Sequence, residues 1–324
     1  MMMFFSRPRT VDEISFQTEV VSVLKKFVTS TDLPNMLFYG PPGTGKTSAI
    51  LAMVKEIFGL DMYRERVLEL NASDDRGIQV VREKVKQFSQ FTASDRRPGG
   101  KKCPPLKIVI LDEADSMTSA AQHALRRTME SDSRTTRFCI ICNYISRIIG
   151  PIASRCAKFC FKPLSDESQK ERLLQICQAE GVTVDEDAID LLIKVCEGDL
   201  RRAINCLQSA ARFKGEETIT EEDIVELTAI IPDDVIDEFI SACRGGSHQR
   251  VEEVIRSLYK NGYSAYQAMI QLHQRIISDT NMSDLLKAKV LDKIAVCEKR
   301  LLDGSNELLQ LMDIACVYML SSIQ

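Results

Sequence analysis

The chain has 324 residues, 44% of them hydrophobic and 27% charged, which fits a packed globular protein of two or three domains and excludes a fibrous or largely disordered one. The net charge of −4 conceals a split: residues 1–162 carry 25 Lys and Arg against 17 Asp and Glu, a balance of +8, and residues 163–324 carry 17 against 29, a balance of −12. No stretch approaches the roughly 18 apolar residues of a membrane helix, Met1 to Phe5 is too short for a signal-peptide core, and the eleven cysteines sit mostly inside apolar runs, as small hydrophobes in a reducing compartment do.

Val20, Val23, Leu24, Phe27 and Val28 share one helical face. Met36 to Tyr39 reads as a short buried strand, Lys46 to Phe58 as a helix ending at Gly59, and Val67 to Leu70 as a strand. Ile78, Val81, Val85 and Phe88 stripe the next helix. A polar loop from Ser94 to Pro105 follows, with Arg96, Arg97, Lys101 and Lys102. Ile108 to Leu111 is a buried strand, Ser119 to Met129 a helix and Phe138 to Cys142 a strand. Strands separated by helices of this length predict a parallel sheet covered on both faces. After Pro163 only helical periodicity remains. Asp166 to Glu180, Asp185 to Glu197 and Asp199 to Arg212 read as three helices with acidic caps, and Thr220 caps a shorter one. From Pro232, the breaks at Gly245-Gly246, Asn261-Gly262 and Asp303-Gly304 divide the rest into about five helices. The expected domains are 1–162, 163–229 and 230–324.

Gly40-Pro41-Pro42-Gly43-Thr44-Gly45-Lys46-Thr47 fits the pattern G-x-x-x-x-G-K-[ST] between a strand and a helix, the context that a phosphate-binding loop requires. Glycines let backbone N–H groups wrap phosphates, and the helix N-terminus adds favourable partial charge. Lys46 can reach the terminal phosphates and the Thr47 hydroxyl can ligate Mg²⁺. Ile108 to Leu111 delivers Asp112 to a strand end, where it can hold Mg²⁺ through water, and places Glu113 to polarise an attacking water. The same acidic pair can instead cap the following helix. Asp112-Glu113-Ala114-Asp115 also spells the DEAD signature of helicases, but such helicases need a second RecA-like domain and this chain turns helical after Pro163.

These motifs, with Asn143 after the fourth strand, Ser154-Arg155-Cys156 and Gly198-Asp199-Leu200-Arg201, resemble those of AAA+ ATPases. More closely, the chain resembles the small subunits of replication factor C, the eukaryotic sliding-clamp loader, over nearly its whole length. Leu37 to Thr47, Leu70 to Gly77, Leu111 to Thr118 and Ala124 to Glu130 carry the likeness, and Phe138 to Tyr144 with the basic loop resembles the fourth subunit best. The resemblance implies an AAA+ P-loop RecA-like α/β domain with a parallel sheet, a small helical lid domain and a C-terminal all-α collar domain. It implies ATP and Mg²⁺ as cofactors, a nuclear hetero-pentamer with other replication factor C subunits, the sliding clamp PCNA and primer-template DNA as partners, and no membrane. ATP binding would open the clamp, and hydrolysis would close it on DNA in replication and repair.

By the same resemblance, Asn143 is sensor 1, Arg155 is an arginine finger serving a neighbouring subunit's ATP, and Arg201 is sensor 2. A physical hint supports the last assignment. If Asp199 is a helix cap, Arg201 and Arg202 lie in a first turn, where cations oppose the helix dipole and an anion resolves the conflict; the plainer alternative is pairing with Asp199 or Glu197. Asn71 is expected to couple DNA binding to Glu113. Small subunits usually begin with a Trp-Val-x-Lys-Tyr-Arg-Pro segment that helps bind adenine. This chain has no Trp and keeps Arg7-Pro8, which leaves Val11 to touch the base. Nucleotide binding is thus assigned to Val11, Gly40, Pro41, Pro42, Gly43, Thr44, Gly45, Lys46, Thr47, Asn143 and Arg201. Catalysis falls to Lys46, Asp112, Glu113, Asn143 and, in trans, Arg155, and the metal to Thr47 and Asp112. A non-catalytic assembly subunit and another AAA+ remodeller, such as a helicase loader, remain as alternatives.

The helix after Gly77 carries Gln79, Arg82 and Lys86 at helical spacing, preceded by Arg76. Basic side chains on one rim can track a phosphate backbone without reading sequence, and in the family helices at this position hold primer-template DNA, so Arg76, Arg82 and Lys86 are the DNA-binding candidates. Arg126 and Arg127 face DNA or couple subunits. Cys139 and Cys142 invite a zinc reading, but on a strand positions i and i+3 point to opposite faces. His123, His248 and His273 are scattered and suggest no triad. Leu285, Leu286, Val290 and Ile294 stripe a helix of the last block, either as core or as the family's collar interface.

Overall fold

The computed structural model describes residues 10–13, 17–29, 33–73, 83–88, 103–215 and 217–322. They fall into two compact units, Met1–Thr220 and Glu221–Gln324.

The first unit is built on five parallel strands, β1 (Met36–Tyr39), β2 (Val67–Asn71), β3 (Lys107–Asp112), β4 (Thr136–Cys142) and β5 (Ala157–Cys160), in the order β2-β3-β4-β1-β5. Their continuous apolar runs reflect burial on both faces, as the sequence predicts. One face packs Met36, Phe38, Ile108, Ile110, Cys139 and Ile141 against α1 (Thr18–Thr29) and α2 (Lys46–Arg66). The other packs Leu37, Val109, Leu111, Phe138, Ile140 and Cys142 against α3 (Ser119–Ser131) and α4 (Gly150–Ala153). The Cys139 and Cys142 thiols therefore lie on opposite faces of the sheet, as strand geometry requires.

Because all five strands run the same way, the residues after β1, β3 and β4 emerge at one edge, the edge where open α/β sheets bind ligands. β4 lies between β1 and β3, with Leu37 beside Ile140 and Leu111 beside the same residue. That topology brings the segments after residues 39, 112 and 142 together although they are far apart in sequence.

Two local features differ from the periodicity reading. The first segment of α2 ends at Gly59, where φ 70° and ψ 170° are non-helical, but a second helical segment that the periodicity does not show follows directly to Arg66, burying Met62 against the sheet core. The strand β5 carries no alternation long enough to predict it, being four residues with buried Phe159 between more exposed neighbours. It forms an edge beside β1. Residues 83–88 are helical and bury Val85; Arg76, Ile78, Gln79, Val81 and Arg82 lie outside the described residues, as does most of the polar loop.

Three further helices complete the first unit: α5 (Asp166–Glu180), α6 (Glu186–Cys196) and α7 (Leu200–Lys214). Of the expected acidic caps only Asp199 makes its side-chain bonds: Asp185 sits at the N-cap of α6 without one, and α5 is capped by Ser165, one residue before Asp166. Ser165 accepts from Ser168 N and Asp199 accepts from Arg201 N and Arg202 N, each satisfying first-turn donors.

The second unit contains α8 (Glu221–Thr228), α9 (Asp233–Arg244), α10 (His248–Lys260), α11 (Ala265–Ser278), α12 (Asp284–Leu302) and α13 (Glu307–Ser322). Pro232 sits at the N-cap of α9, and Ser247, Ser264 and Ser283 cap the next three helices with side-chain acceptors. One apolar cluster, including Phe239, Val251, Leu272, Val290 and Ile314, joins the five helices from α9 onward. Val290 and Ile294 belong to this core, whereas Leu285 is exposed. Among the described residues no helix is long and apolar enough to cross a membrane.

Candidate nucleotide site

The loop from Gly40 to Gly45 leaves β1 and enters α2. Two of its glycines are fixed by close approach. A Cβ on Gly40, at φ 145°, would lie 2.1 Å from the Phe161 carbonyl oxygen, and one on Gly43, at φ 72°, would lie 1.9 Å from Asp199 Oδ1. The loop is thus pressed between the end of β5 and the start of α7. At the head of α2, Gly45 offers no side-chain acceptor and the first turn holds no acidic residue. This helix start is therefore electropositive and uncapped, unlike those of α3, α5 and α7.

Lys46 is 7% exposed. Its Nζ donates to Gly40 O at 2.8 Å, Pro41 O at 2.7 Å and Asn143 Oδ1 at 2.9 Å. Burial pushes the Lys46 ammonium below the usual lysine range; Asp112 opposes that shift and nearby Arg201 reinforces it. Beside it the Thr47 hydroxyl donates to Asp112 Oδ2 at 2.7 Å. Thr44 closes the loop through Oγ1 to Pro41 O at 2.9 Å. The structure thus brings together Lys46, Thr47, Asp112 and Asn143, with Arg201 in electrostatic reach.

Glu113 follows Asp112 in the left-handed region, φ 54° and ψ 37°, a strained position for a residue with a side chain. Asp112 Oδ1 accepts from its N–H at 2.9 Å and Ser116 Oγ donates to its carbonyl at 2.7 Å. The Glu113 side chain is exposed while Asp112 is half-buried, so the two neighbouring carboxylates occupy different environments.

Sequence reasoning missed Asp115. Its Oδ2 accepts from Asn143 N and Tyr144 N, both at 3.3 Å, tying the β3 exit to the β4 exit. The only signal was an acidic residue three positions after Asp112, absorbed into a helicase-like spelling. Gln122 was also missed. This buried amide donates to Arg147 O at 2.9 Å and accepts from Ile149 N at 2.8 Å, bracing the chain that leads to α4 and Arg155.

The remaining candidates stand apart from this cluster or are otherwise engaged. Arg155 donates to Pro151 O at 2.7 Å and pairs with Glu130 at 2.7 Å on exposed side chains. Arg126 approaches the same Glu130 at 3.8 Å. Val11 is buried in the sheet core and its N–H donates to Glu56 Oε2 at 3.2 Å. Asn71 Oδ1 accepts from Ser73 N and Ser73 Oγ, a local turn bond. Lys86 is exposed.

For a divalent cation the available donors are the Thr47 hydroxyl and the Asp112 carboxylate; among the described residues no group of three or more His, Cys, Asp and Glu converges. Two hard oxygen donors fit Mg²⁺, which dehydrates reluctantly and keeps several waters when it binds with phosphates.

Comparison with known proteins follows the same layout. Residues 36–164 match the ATPase family associated with various cellular activities, residues 171–212 the RCF1/5-like AAA+ ATPase lid domain, and residues 231–317 the replication factor C C-terminal domain. The chain is 56% identical to replication factor C subunit 4 of Homo sapiens, over 97% of this chain and 86% of that protein. It belongs to the replication factor C small-subunit family. Subunit 2 of Saccharomyces cerevisiae is 45% identical over 95% of this chain and 89% of its own length. The Archaeoglobus fulgidus replication factor C small subunit is 44% identical over 94% and 92%. The solved structure of the Thermotoga maritima RuvB Holliday junction branch migration motor shares the fold, with TM-score 0.55 at 15% identity over 85% of this chain and 86% of that one. As a replication factor C small subunit the chain is an AAA+ ATPase component of a multi-subunit clamp loader.

Proposed function

We propose that this replication factor C small subunit binds ATP with the loop Gly40 to Thr47 and hydrolyses it with Asp112, Glu113 and Asn143. The reading is carried by one observation: Lys46 Nζ is bonded to Asn143 Oδ1 at 2.9 Å across 97 positions of sequence. A buried ammonium and a sensor amide facing each other beside an uncapped helix start form a ready cradle for a terminal phosphate. On ATP binding, Lys46 exchanges the Gly40 and Pro41 carbonyls for β- and γ-phosphate oxygens. Asn143 orients the γ-phosphate or the attacking water, and Glu113 takes a proton from that water. Asp199, held against Gly43, positions Arg201 over the same anion. Thr47 and Asp112 would hold Mg²⁺, which would supply charge neutralisation for the β- and γ-phosphates. Val11, Pro42 and Thr44 complete the nucleotide contacts.

Arg155 serves the ATP of an adjoining subunit. Its place on an exposed surface beside Glu130 supports a group offered outward, as trans arginines are. Arg76, Arg82 and Lys86 contact primer-template DNA through phosphates, and the basic balance of residues 1–162 supports that direction. The work is opening PCNA and closing it on DNA in the nucleus, by a hetero-pentamer. Residues 1–162, 163–229 and 230–324 act as ATPase, lid and collar.

The test uses the assembled complex in which only this chain's ATP site is active. Lys46→Ala should lower DNA-stimulated turnover about 10²–10³-fold, the usual cost of one preorganised charge-stabilising donor; in a complex in which only the adjoining site is active, Arg155→Ala should slow turnover while leaving ATP bound here. Unchanged turnover with Lys46→Ala would instead make this a non-catalytic assembly subunit.

A further inference from the structure

Between the end of β5 and the Ser165 cap of α5, the chain runs from Phe161 to Leu164 without regular structure, and each of these residues is gripped by a different part of the molecule. Phe161 N donates to Tyr39 O at 2.8 Å, continuing the pairing of β5 with β1, and its carbonyl oxygen lies against Gly40. Lys162 is held at both of its backbone groups by one side chain: Gln17 Nε2 donates to Lys162 O at 2.8 Å, and Lys162 N donates to Gln17 Oε1 at 3.4 Å. Pro163 meets Gly198, where an added Cβ would stand 3.2 Å from Pro163 Cβ. Leu164 O accepts from Gln169 Nε2 at 3.2 Å.

The grip on Lys162 comes from farthest away in sequence, 145 positions. Gln17 is 7% exposed, and its own carbonyl accepts from Val21 N at 2.8 Å at the start of α1. The backbone that carries its amide is therefore anchored to a helix packed on the sheet. An amide that donates to one carbonyl and accepts from the N–H of the same residue fixes both the position and the rotation of that residue's backbone, and burial strengthens both bonds.

We propose that Gln17 is a positioning residue for the terminal phosphate: by gripping Lys162 it sets the linker on which the Gly198-Asp199 turn rests, and so fixes Arg201 at the phosphate loop.

Each link in this path is a contact. Lys162 is bonded to Pro163, and Pro163 packs on Gly198. Asp199 follows Gly198 directly, abuts Gly43, and caps α7 through Arg201 N at 2.9 Å and Arg202 N at 3.1 Å. Close-packed contacts of this kind transmit displacement rather than absorb it. The Arg201 side chain is exposed, so where its guanidinium can reach depends on where this first turn of α7 is set. Positioning of a charged group matters steeply in phosphoryl transfer, because the enzyme works by placing charge rather than by covalent chemistry. The inference rests on the reading of Arg201 as the group that meets the terminal phosphate.

The experiment uses the assembled complex with every other ATP site disabled. Binding of ATPγS and of ADP is measured for the wild type, for Gln17→Met, which keeps the side-chain length and removes the amide, for Arg201→Ala, and for the two combined. ADP lacks the phosphate that Arg201 would meet. Gln17→Met should weaken ATPγS binding about 10-fold, within the roughly 10²-fold that a misplacement of about 1 Å can cost, and should change ADP binding less than about twofold. In the Arg201→Ala background the effect of Gln17→Met should vanish, because the two residues act through one group. Gln17→Glu keeps an acceptor for Lys162 N but offers Lys162 O no donor; it should match Gln17→Met, and it carries the test if the methionine variant does not fold. Equal weakening of ATPγS and ADP would show that Gln17 only holds the start of α1 in place, and would overturn the proposal. Additive losses in the combined variant, or unchanged ATPγS binding in Gln17→Met and Gln17→Glu where Arg201→Ala is impaired, would overturn it while leaving the reading of Arg201 intact. Unchanged ATPγS binding in Arg201→Ala would overturn that reading and the proposal with it.

Discussion

The Met1–Thr220 unit draws a cluster of polar side chains together at its sheet edge, whereas the Glu221–Gln324 unit gathers apolar side chains and sets ion pairs on its surface. Lys46, Thr47, Asp112 and Asn143 bond to one another or to backbone at the sheet edge, reaching across 65 to 97 positions. The second unit packs α9 to α13 around one apolar cluster and sets its ion pairs, Arg250 with Glu238, Arg275 with Asp237 and Arg256 with Glu252, on exposed side chains. Burying polar groups costs free energy unless every group is satisfied, so the inward arrangement is kept for a ligand. The outward arrangement leaves stability to apolar burial.

The largest way to break this contrast is in the second core. Phe239 is 1% exposed, and Phe239→Ala should cost about 3–5 kcal/mol through lost burial and the cavity left behind. Urea denaturation of the chain, followed by the loss of helical signal, measures it. A cost under about 1 kcal/mol would mean that stability in this unit does not rest on its apolar centre.

A smaller effect is expected at Asp115. Asp115→Ala leaves the Asn143 and Tyr144 N–H groups without their acceptor, worth about 1–3 kcal/mol in stability. Because Asn143 contacts Lys46, the assembled complex should also lose kcat more than KM. Asp115→Asn keeps an acceptor oxygen and should restore most of the rate. Equal loss in both variants would assign the carboxylate some role other than holding this backbone.

Lys46 sharpens the comparison through pH. Burial lowers its folded-state pKa from 10.5, so the unfolded chain binds this proton more tightly and the charged lysine weighs against folding at neutral pH. The penalty fades as pH rises from the lowered value through 10.5. Lys46→Met should therefore raise stability by about 1 kcal/mol at pH 7, as relief of a functional strain does, while abolishing ATP turnover. Its advantage over the wild type should shrink as pH approaches 10.5. Denaturation midpoints of the two proteins at successive pH values read the difference, and a constant gap would mean that the ammonium is not penalised by burial.

What could be read from the sequence divides along the same lines. The strand–loop–helix order around Gly40 to Thr47, the acidic end of β3 and the Asp199 cap of α7 are local, and spacing alone exposes them. The bond from Lys46 to Asn143 depends on β4 lying beside β1, a pairing that no local pattern encodes; only a place for Asn143 at the nucleotide was expected, and that through family likeness. Asp115 was invisible because its acceptor role needs the turn after β3 to meet the turn after β4. Gly59 ends the first segment of α2 as a glycine with positive φ commonly does, but the helical segment from Leu60 to Arg66 that follows was not legible, because it rests on burying Met62 against the sheet core.

The smallest predicted effect tests the outward half of the contrast. Arg250 donates to Glu238 and to Glu253, with its side chain 56% exposed and Glu238 49% exposed. Such a pair gains little Coulomb energy in high dielectric, immobilises two long side chains and is screened by salt. Arg250→Ala should therefore change stability by no more than about 0.5 kcal/mol, and what change there is should disappear in 1 M salt. Glu238→Ala should behave alike, and the double variant should show a coupling of at most a few tenths of a kcal/mol. The same urea titration that registers Phe239→Ala as a large shift would register these as almost none. A coupling above about 1 kcal/mol that survives high salt would place real stability in the surface charges of the second unit, and the division between an inward polar half and an outward one would then describe position without describing energy.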